Sequence, residues 1–272
     1  MISGHINTLK KANQILICPL VVPAGIEPAS SESESEILSI VLRNHFLLTC
    51  LQKYDKASNF LMTARLLHQD LLSRIADNSG HPTQHTFLDS YLGNTHPRYP
   101  ISVPKLRKVT KNWLTHQPIS DPKFISLLTR LIKGKSSTEK MAAGFLIDYG
   151  KKHLDSFDVF IYEEWLEYAE GWAEVDTLCY GHFKADEILS QWQVWKTLLV
   201  KLNSSKNINK RRASLVLLCQ PLHCHRSKKL LRLAFSLVRS LQREREGLIT
   251  KAVSWTLRSM VKHHRPELVA FF

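Results

Sequence analysis

Cysteine is scarce. Five residues, Cys18, Cys50, Cys179, Cys219 and Cys224, make an odd number with no CxxC pair in 272 positions. That argues against a disulfide framework and points to a reducing cytoplasm. The stretch "CQPLHCHR" does gather Cys219, His223, Cys224 and His225, but a tetrahedral site there would crowd its ligands onto one short loop, so no metal is expected. A phosphate-binding loop is missing as well: Gly134-Lys135-Ser136 lacks the glycine five positions earlier, where Thr129 stands. The basic start and apolar run of "LKKANQILICPLVVPAG" resemble a secretion signal, but Pro19 and Pro23 interrupt the run, which is too short to span a bilayer. No membrane partner is expected. Alternating strand patterns with paired turn signals are also lacking, which leaves an all-α class.

Basic residues are in surplus. The formal charge is +13, with 44% hydrophobic composition supplying ample material for a core. A surplus of this size raises the local potential by several kT and predicts a polyanionic partner, nucleic acid first. The charge is uneven: residues 201–272 hold 16 Lys/Arg against 3 Asp/Glu, residues 81–140 hold 10 against 3, and residues 141–200 hold 4 against 11. Two basic blocks therefore flank an acidic one. Folded together they would make a positive groove with a negative centre; plain solvated helix faces are the other reading.

Residues 1–50 read as an N-terminal extension, disordered or the product of an overextended gene start, and contain the acidic, linker-like "EPASSESESE". From residue 51 to 272 apolar residues recur at three- and four-residue steps, as in "ASNFLMTARLLHQDLLSRIA" and "SKKLLRLAFSLVRSLQRE". Single helices are expected over 157–172 and 185–202. A weak repeat pairs Ala142 with Phe145, Ala213 with Val216 and Ala252 with Trp255, at intervals of 71 and 39 residues. Helix pairs at about half the longer interval indicate a HEAT-like or armadillo-like solenoid with a concave face, although a helix bundle can produce such copies by chance.

Trp172 and Asp176 in "AEGWAEVDTL" lie four apart and so share a helix face. Arg211 follows Asp176 by 35 residues and Trp255 follows by a further 44, placing them on successive repeats. Singly, each has a bland reading: core indoles, a solvated carboxylate, a surface guanidinium. Together they form two indoles, one carboxylate and one cation in a basic groove.

That set resembles the DNA alkylation repair glycosylases of the AlkD-like family. The family's Trp-x-x-x-Asp matches "GWAEVD", its Arg-x-Ala matches "RRA" at Arg211, its Lys-Ala-x-x-Trp-x-Leu-Arg matches "KAVSWTLR", and its Tyr thirteen residues before a Pro matches Tyr91. The resemblance runs from about Tyr91 to the C-terminus. It departs in the longer "CQPLHCHRSKK" loop and in the absence of a further C-terminal helical segment, so the last repeat of the 51–272 repair domain is expected to lack its cap.

The resemblance implies a metal-free, cofactor-free monomer in the cytoplasm that hydrolyses the N-glycosidic bond of cationic N3- or N7-alkylated purines in duplex DNA. Asp176 would be the catalytic carboxylate, Trp172 and Trp255 the cation-binding walls, and Arg211 the phosphate clamp. Tyr91, Ser102, Lys105, Arg107, Lys108, Lys210, Arg212 and Arg258 are the candidate DNA contacts. One carboxylate suits this chemistry, because a charged base leaves without the acid that neutral glycosides need. Two rivals remain: a non-catalytic HEAT-like DNA-binding module and a protein-binding scaffold.

Overall fold

Proline, serine and asparagine mark the helix starts. In the computed structural model the described residues are Thr49, 63–82, Tyr91, 93–154 and 157–272. The chain divides into the units Met1–Tyr54 and Asp55–Phe272, and the elements described here belong to the second. Apart from Thr49, the extension expected over residues 1–50 lies outside the described residues.

The first helix, α1, is described over 63–79. Helices α2 (Val103–Thr115) and α3 (Asp121–Ile132) carry Pro104 and Pro122 as their second residues, whose fixed φ suits a first turn and whose missing N–H would be unpaired there anyway. Helix α4 (Ser137–Tyr149) opens with a full capping box, in which the Ser136 hydroxyl accepts from Glu139 N and the Glu139 carboxylate accepts from Ser136 N. A 3-10 turn (Lys151–His153) and the short α5 (Ile161–Trp165) lead to α6 (Gly171–Cys179), α7 (Ala185–Ser190) and α8 (Trp192–Asn203). Helices α9 (Ile208–Cys224), α10 (Lys228–Ser240) and α11 (Gly247–Val269) complete the chain. Asn207 and Ser227 cap α9 and α10 by accepting from Asn209 N and Leu230 N.

The helices form an all-α repeat solenoid. Helix α2 packs on α4, α4 on α6, α6 on α9 and α9 on α11, while α3, α8 and α10 lie against members of that row. The small residues singled out from the repeat, Ala142, Ala213 and Ala252, fall on α4, α9 and α11 and are all fully buried. Helix α9 is apolar on most sides, with Ala213, Leu215, Val216, Leu217, Leu218 and Leu222 in the core, as its place between α6, α8, α10 and α11 requires. Each such leucine contributes on the order of 2 kcal/mol on burial. No β-strand occurs among the described residues.

Both stretches read as single helices are broken. Between Trp165 and Gly171 the chain leaves α5, and α6 starts at a glycine with φ +69°, a conformation that side chains disfavour. Tyr162 donates from its hydroxyl to Leu178 O at 2.8 Å and Trp165 donates from Nε1 to Thr129 Oγ1 at 2.9 Å, fixing α5 by tertiary bonds that an apolar period cannot reveal. The second break falls at Gln191, between α7 and α8.

Candidate active site

Helix α6 carries the central residues. Gly144 lets α4 approach it closely: a Cβ there would lie 2.3 Å from Thr177 O, one residue after Asp176. The α6 start is fixed from two sides, by Glu170 N donating to Glu174 Oε2 at 2.8 Å and Gly171 N donating to Asn209 Oδ1 at 3.2 Å. Trp172, Asp176 and the C-cap residue Tyr180 then follow at four-residue steps, one per turn.

Asp176 is held by Arg212. Arg212 Nε donates to Oδ1 at 2.8 Å and Nη2 donates to Oδ2 at 2.7 Å, a bidentate fork, while Nη1 donates to Leu248 O at the start of α11. The Arg212 side chain is 5% exposed and that of Asp176 is 17% exposed, so the carboxylate keeps an edge toward solvent and the guanidinium does not. Burial raises the Asp176 carboxyl above its ordinary value, against the hydrogen bonds and charge of Arg212. The arrangement is a lone, oriented carboxylate in a partly dry setting.

Aromatic pairs stand on either side along the helix. One turn before Asp176, the Trp172 indole donates from Nε1 to Tyr91 O at 3.0 Å and meets the Tyr91 ring edge-on, with centroids 5.6 Å apart. One turn after it, Tyr180 lies against Trp255 of α11, with centroids 4.8 Å apart and planes at 35°. Burial and the nearby Cys219 and Cys224 push the Tyr180 phenol above its usual range, so it stays neutral at physiological pH.

A polar cluster ties the segment after Tyr91 to α6. Glu174, with no exposed surface, accepts from Asn94 Nδ2 at 3.1 Å and from His96 Nδ1 at 2.9 Å. Glu170 Oε2 accepts from both Thr95 N and Thr95 Oγ1 at 3.1 Å. Burial disfavours ionised Glu170, but the Thr95 donors with His96 and Lys140 outweigh it and hold the carboxyl below its usual value. Lys140, buried on α4 and donating to Gly134 O at 2.7 Å, has its ammonium lowered by burial against the pull of Glu174, Glu139 and Glu170. Gly93 packs beside Gly171, where an added Cβ would lie 3.6 Å from the Gly171 Cα.

Of two adjacent arginines, the structure places Arg212, not Arg211, on Asp176. Arg211, expected to face the site as a phosphate clamp, has Nε 3.0 Å from Glu244 Oε1 and donates from Nη1 to the carbonyls of Ser205 and Lys206. Arg212, expected on the DNA backbone, has its fork spent on Asp176. Consecutive helical residues point about 100° apart, so only one of them can face α6.

The other candidates divide by whether a carboxylate pairs with them. Arg107 lies 3.5 Å from Asp148 and over the Phe145 ring, and Lys210 pairs with Glu167. Lys105 donates to Asn78 O at 2.6 Å and Arg258 to Ser254 Oγ at 2.6 Å, contacts that leave their charges uncompensated. Lys108 is exposed beside a cavity of ≈ 530 Å³ between α1 and α2, and Ser102 is exposed at the start of α2 without capping it. The acidic block is largely consumed: Glu163, Glu164, Glu167 and Asp176 pair with Lys201, Lys133, Lys210 and Arg212. Cys219 is buried and Cys224 exposed, both as free thiols. Among the described residues no group of three or more His, Cys, Asp or Glu is placed to hold a metal ion, and no helix is long and apolar enough to cross a membrane.

Fold and site together define a helical-repeat protein with one guanidinium-oriented carboxylate between two aromatic pairs. Residues 69–272 match the DNA alkylation repair enzyme family, three quarters of the chain, and the chain belongs to that family. Among solved structures it is similar to a predicted DNA alkylation repair enzyme from Enterococcus faecalis, with a TM-score of 0.58 at 15% identity over 69% of this chain and 85% of that one. That likeness is one of fold. No curated protein matches the chain.

Proposed function

We propose that the protein is a DNA glycosylase that hydrolyses the N-glycosidic bond of N3- or N7-alkylated purines in duplex DNA, the first step of base excision repair. Asp176, half-buried, oriented by Arg212 and one turn from the Trp172 indole, is the observation that carries this reading. An alkylated purine is already cationic. Its C1′–N bond breaks with the electron pair passing to the base, which leaves neutral, while positive charge develops on the sugar. A carboxylate about 4 Å away at an effective dielectric of about 20 stabilises that charge by up to about 4 kcal/mol. The Arg212 charge on the far side of the carboxylate offsets part of this gain. Water then adds to C1′, with Asp176 accepting its proton.

The indoles of Trp172 and Trp255 favour a cationic base over a neutral one by about 0.5–2 kcal/mol through the ring quadrupole. Lys105, Lys108 and Arg258 supply charge for the DNA backbone. In this reading Arg212 positions the carboxylate, and Arg211 reaches a phosphate only by leaving Glu244. The protein works as a cytoplasmic monomer without metal or cofactor.

The completed Asp176–Arg212 pair also favours a second reading, in which it is a structural tie and the solenoid binds DNA without reacting. Duplex DNA containing 3-methyladenine or 7-methylguanine separates the two. Release of free base by the wild type, lost in Asp176→Asn with duplex binding retained, supports the glycosylase. Tight binding without release supports the binding module.

A further inference from the structure

We propose that His96 is a positioning residue: seated between Glu170 and Glu174, it clamps the 93–96 segment to α6 and so fixes the Trp172 indole through the Tyr91 carbonyl. Its catalytic consequence rests on the glycosylase reading above; the geometry does not. Two carboxylates from the start of α6 converge on one imidazole, with His96 Nδ1 at 2.9 and 3.1 Å from the two Glu174 oxygens and Nε2 at 3.7 Å from Glu170 Oε1. The other charged groups are Lys140 from α4, which interacts with both carboxylates, and Arg98, which donates from Nη2 to Asn94 Oδ1.

The α6 start is held without His96, by Glu170 N donating to Glu174 and Gly171 N donating to Asn209. The other ties come from a segment 75 to 81 residues earlier and bind that segment to the helix. Asn94 and His96 reach Glu174, Thr95 reaches Glu170, and the Tyr91 carbonyl receives the Trp172 N–H, all between the same two stretches of chain. Glu174 has no exposed surface, so each donor it loses leaves a buried acceptor unsatisfied and the segment free to shift. The Trp172 bond is the one among these that reaches the site.

The experiment follows the Trp172 indole N–H by NMR in the full chain, assigned with Trp172→Phe, beside single-turnover base release and duplex affinity. In His96→Ala the Trp172 N–H is expected to move and to exchange with water about tenfold faster. Base release falls about tenfold, the scale of a small misplacement of a reacting partner, with duplex affinity within about twofold. His96→Gln, which keeps a donor toward Glu174, recovers most of both. An unmoved Trp172 resonance in His96→Ala overturns the proposal, as does equal loss of release and affinity that His96→Gln fails to recover. Should His96→Ala not fold, Thr95→Val, which removes the hydroxyl bond to Glu170 and keeps the Thr95 N–H bond, must shift the same resonance; no shift overturns the proposal. A wild type that releases no base defeats the glycosylase reading alone, and the resonance still decides the role of His96.

Discussion

Arg212 meets Asp176 across 36 residues of sequence in two hydrogen bonds of 2.8 and 2.7 Å, while the adjacent Arg211 faces Glu244. The first arginine therefore governs how the carboxylate stands, and the second governs how the 205–206 loop meets the turn before α11. Removing one partner of a buried pair leaves an uncompensated charge, a loss on the order of 3 kcal/mol or more. Arg212→Ala should lower unfolding free energy by that order in urea titration and abolish base release. Arg211→Ala, on a partly exposed pair, should lower stability by about 1 kcal/mol or less. Equal stability losses would show that the two side chains are equivalent.

Asp176 also sets a pH dependence. Its carboxyl is raised, and the ionised form is the one that stabilises positive charge, so base release should fall on acidification with a midpoint above the ordinary aspartate value of about 3.9. Stability runs the other way. A raised folded value means that the unfolded state ionises first, so the Asp176 contribution is fully present below about 3.9 and is lost as pH rises through the folded value. The stability of the wild type minus that of Asp176→Asn should therefore decline over that window. Glu139, Asp148 and Glu170 have lowered values and act oppositely, contributing stability that is lost as pH falls through their folded values. Matched urea titrations of both proteins between pH 3 and 7 test the sign.

The helical class and the Trp172–Asp176 face were legible because both follow from four-residue spacing within one segment. That Arg212 and not Arg211 meets Asp176 was not, since spacing across repeats fixes a position only to within a residue and one residue turns a side chain by about 100°. Tyr180 continues the Trp172, Asp176 series by another four residues, but four-residue spacing does not show the helix end at Cys179 or the approach of α11 that brings Trp255 to its ring. The Asn94, His96 and Glu174 cluster joins segments some eighty residues apart, which periodicity does not connect.

Tyr180 is expected to matter through its ring. An aromatic pair is worth about 0.5–1.5 kcal/mol beyond burial, so Tyr180→Ala should reduce base release roughly three- to tenfold by freeing Trp255, and Tyr180→Phe should keep most of the activity. Single-turnover rates decide it; equal losses in both variants would assign the effect to the hydroxyl instead.

Gly144 offers a test of how the site is framed. Adding a Cβ 2.3 Å from Thr177 O must push α4 from α6 beside Asp176, because a backbone carbonyl cannot rotate away as a side chain can. Gly144→Ala should lower stability by about 1–3 kcal/mol, the usual scale of overpacking, although alanine is the better helix former. A melting temperature at or above that of the wild type would show that the two helices yield freely.

Charge pairing separates the basic residues by their effect on DNA. A cation that neutralises a phosphate releases counterions, so deleting it should reduce the slope of log affinity against log salt by about one. Lys105, Lys108 and Arg258 have no carboxylate partner among the described residues, and each alanine variant should show that change on undamaged duplex. Arg107 and Lys210 already face Asp148 and Glu167, so reaching a phosphate would strand a carboxylate beside DNA. Their alanine variants should leave the slope nearly unchanged. Titration of the five variants from 50 to 200 mM salt tests the division, and a full unit lost in Lys210→Ala would mean that DNA takes this lysine from Glu167.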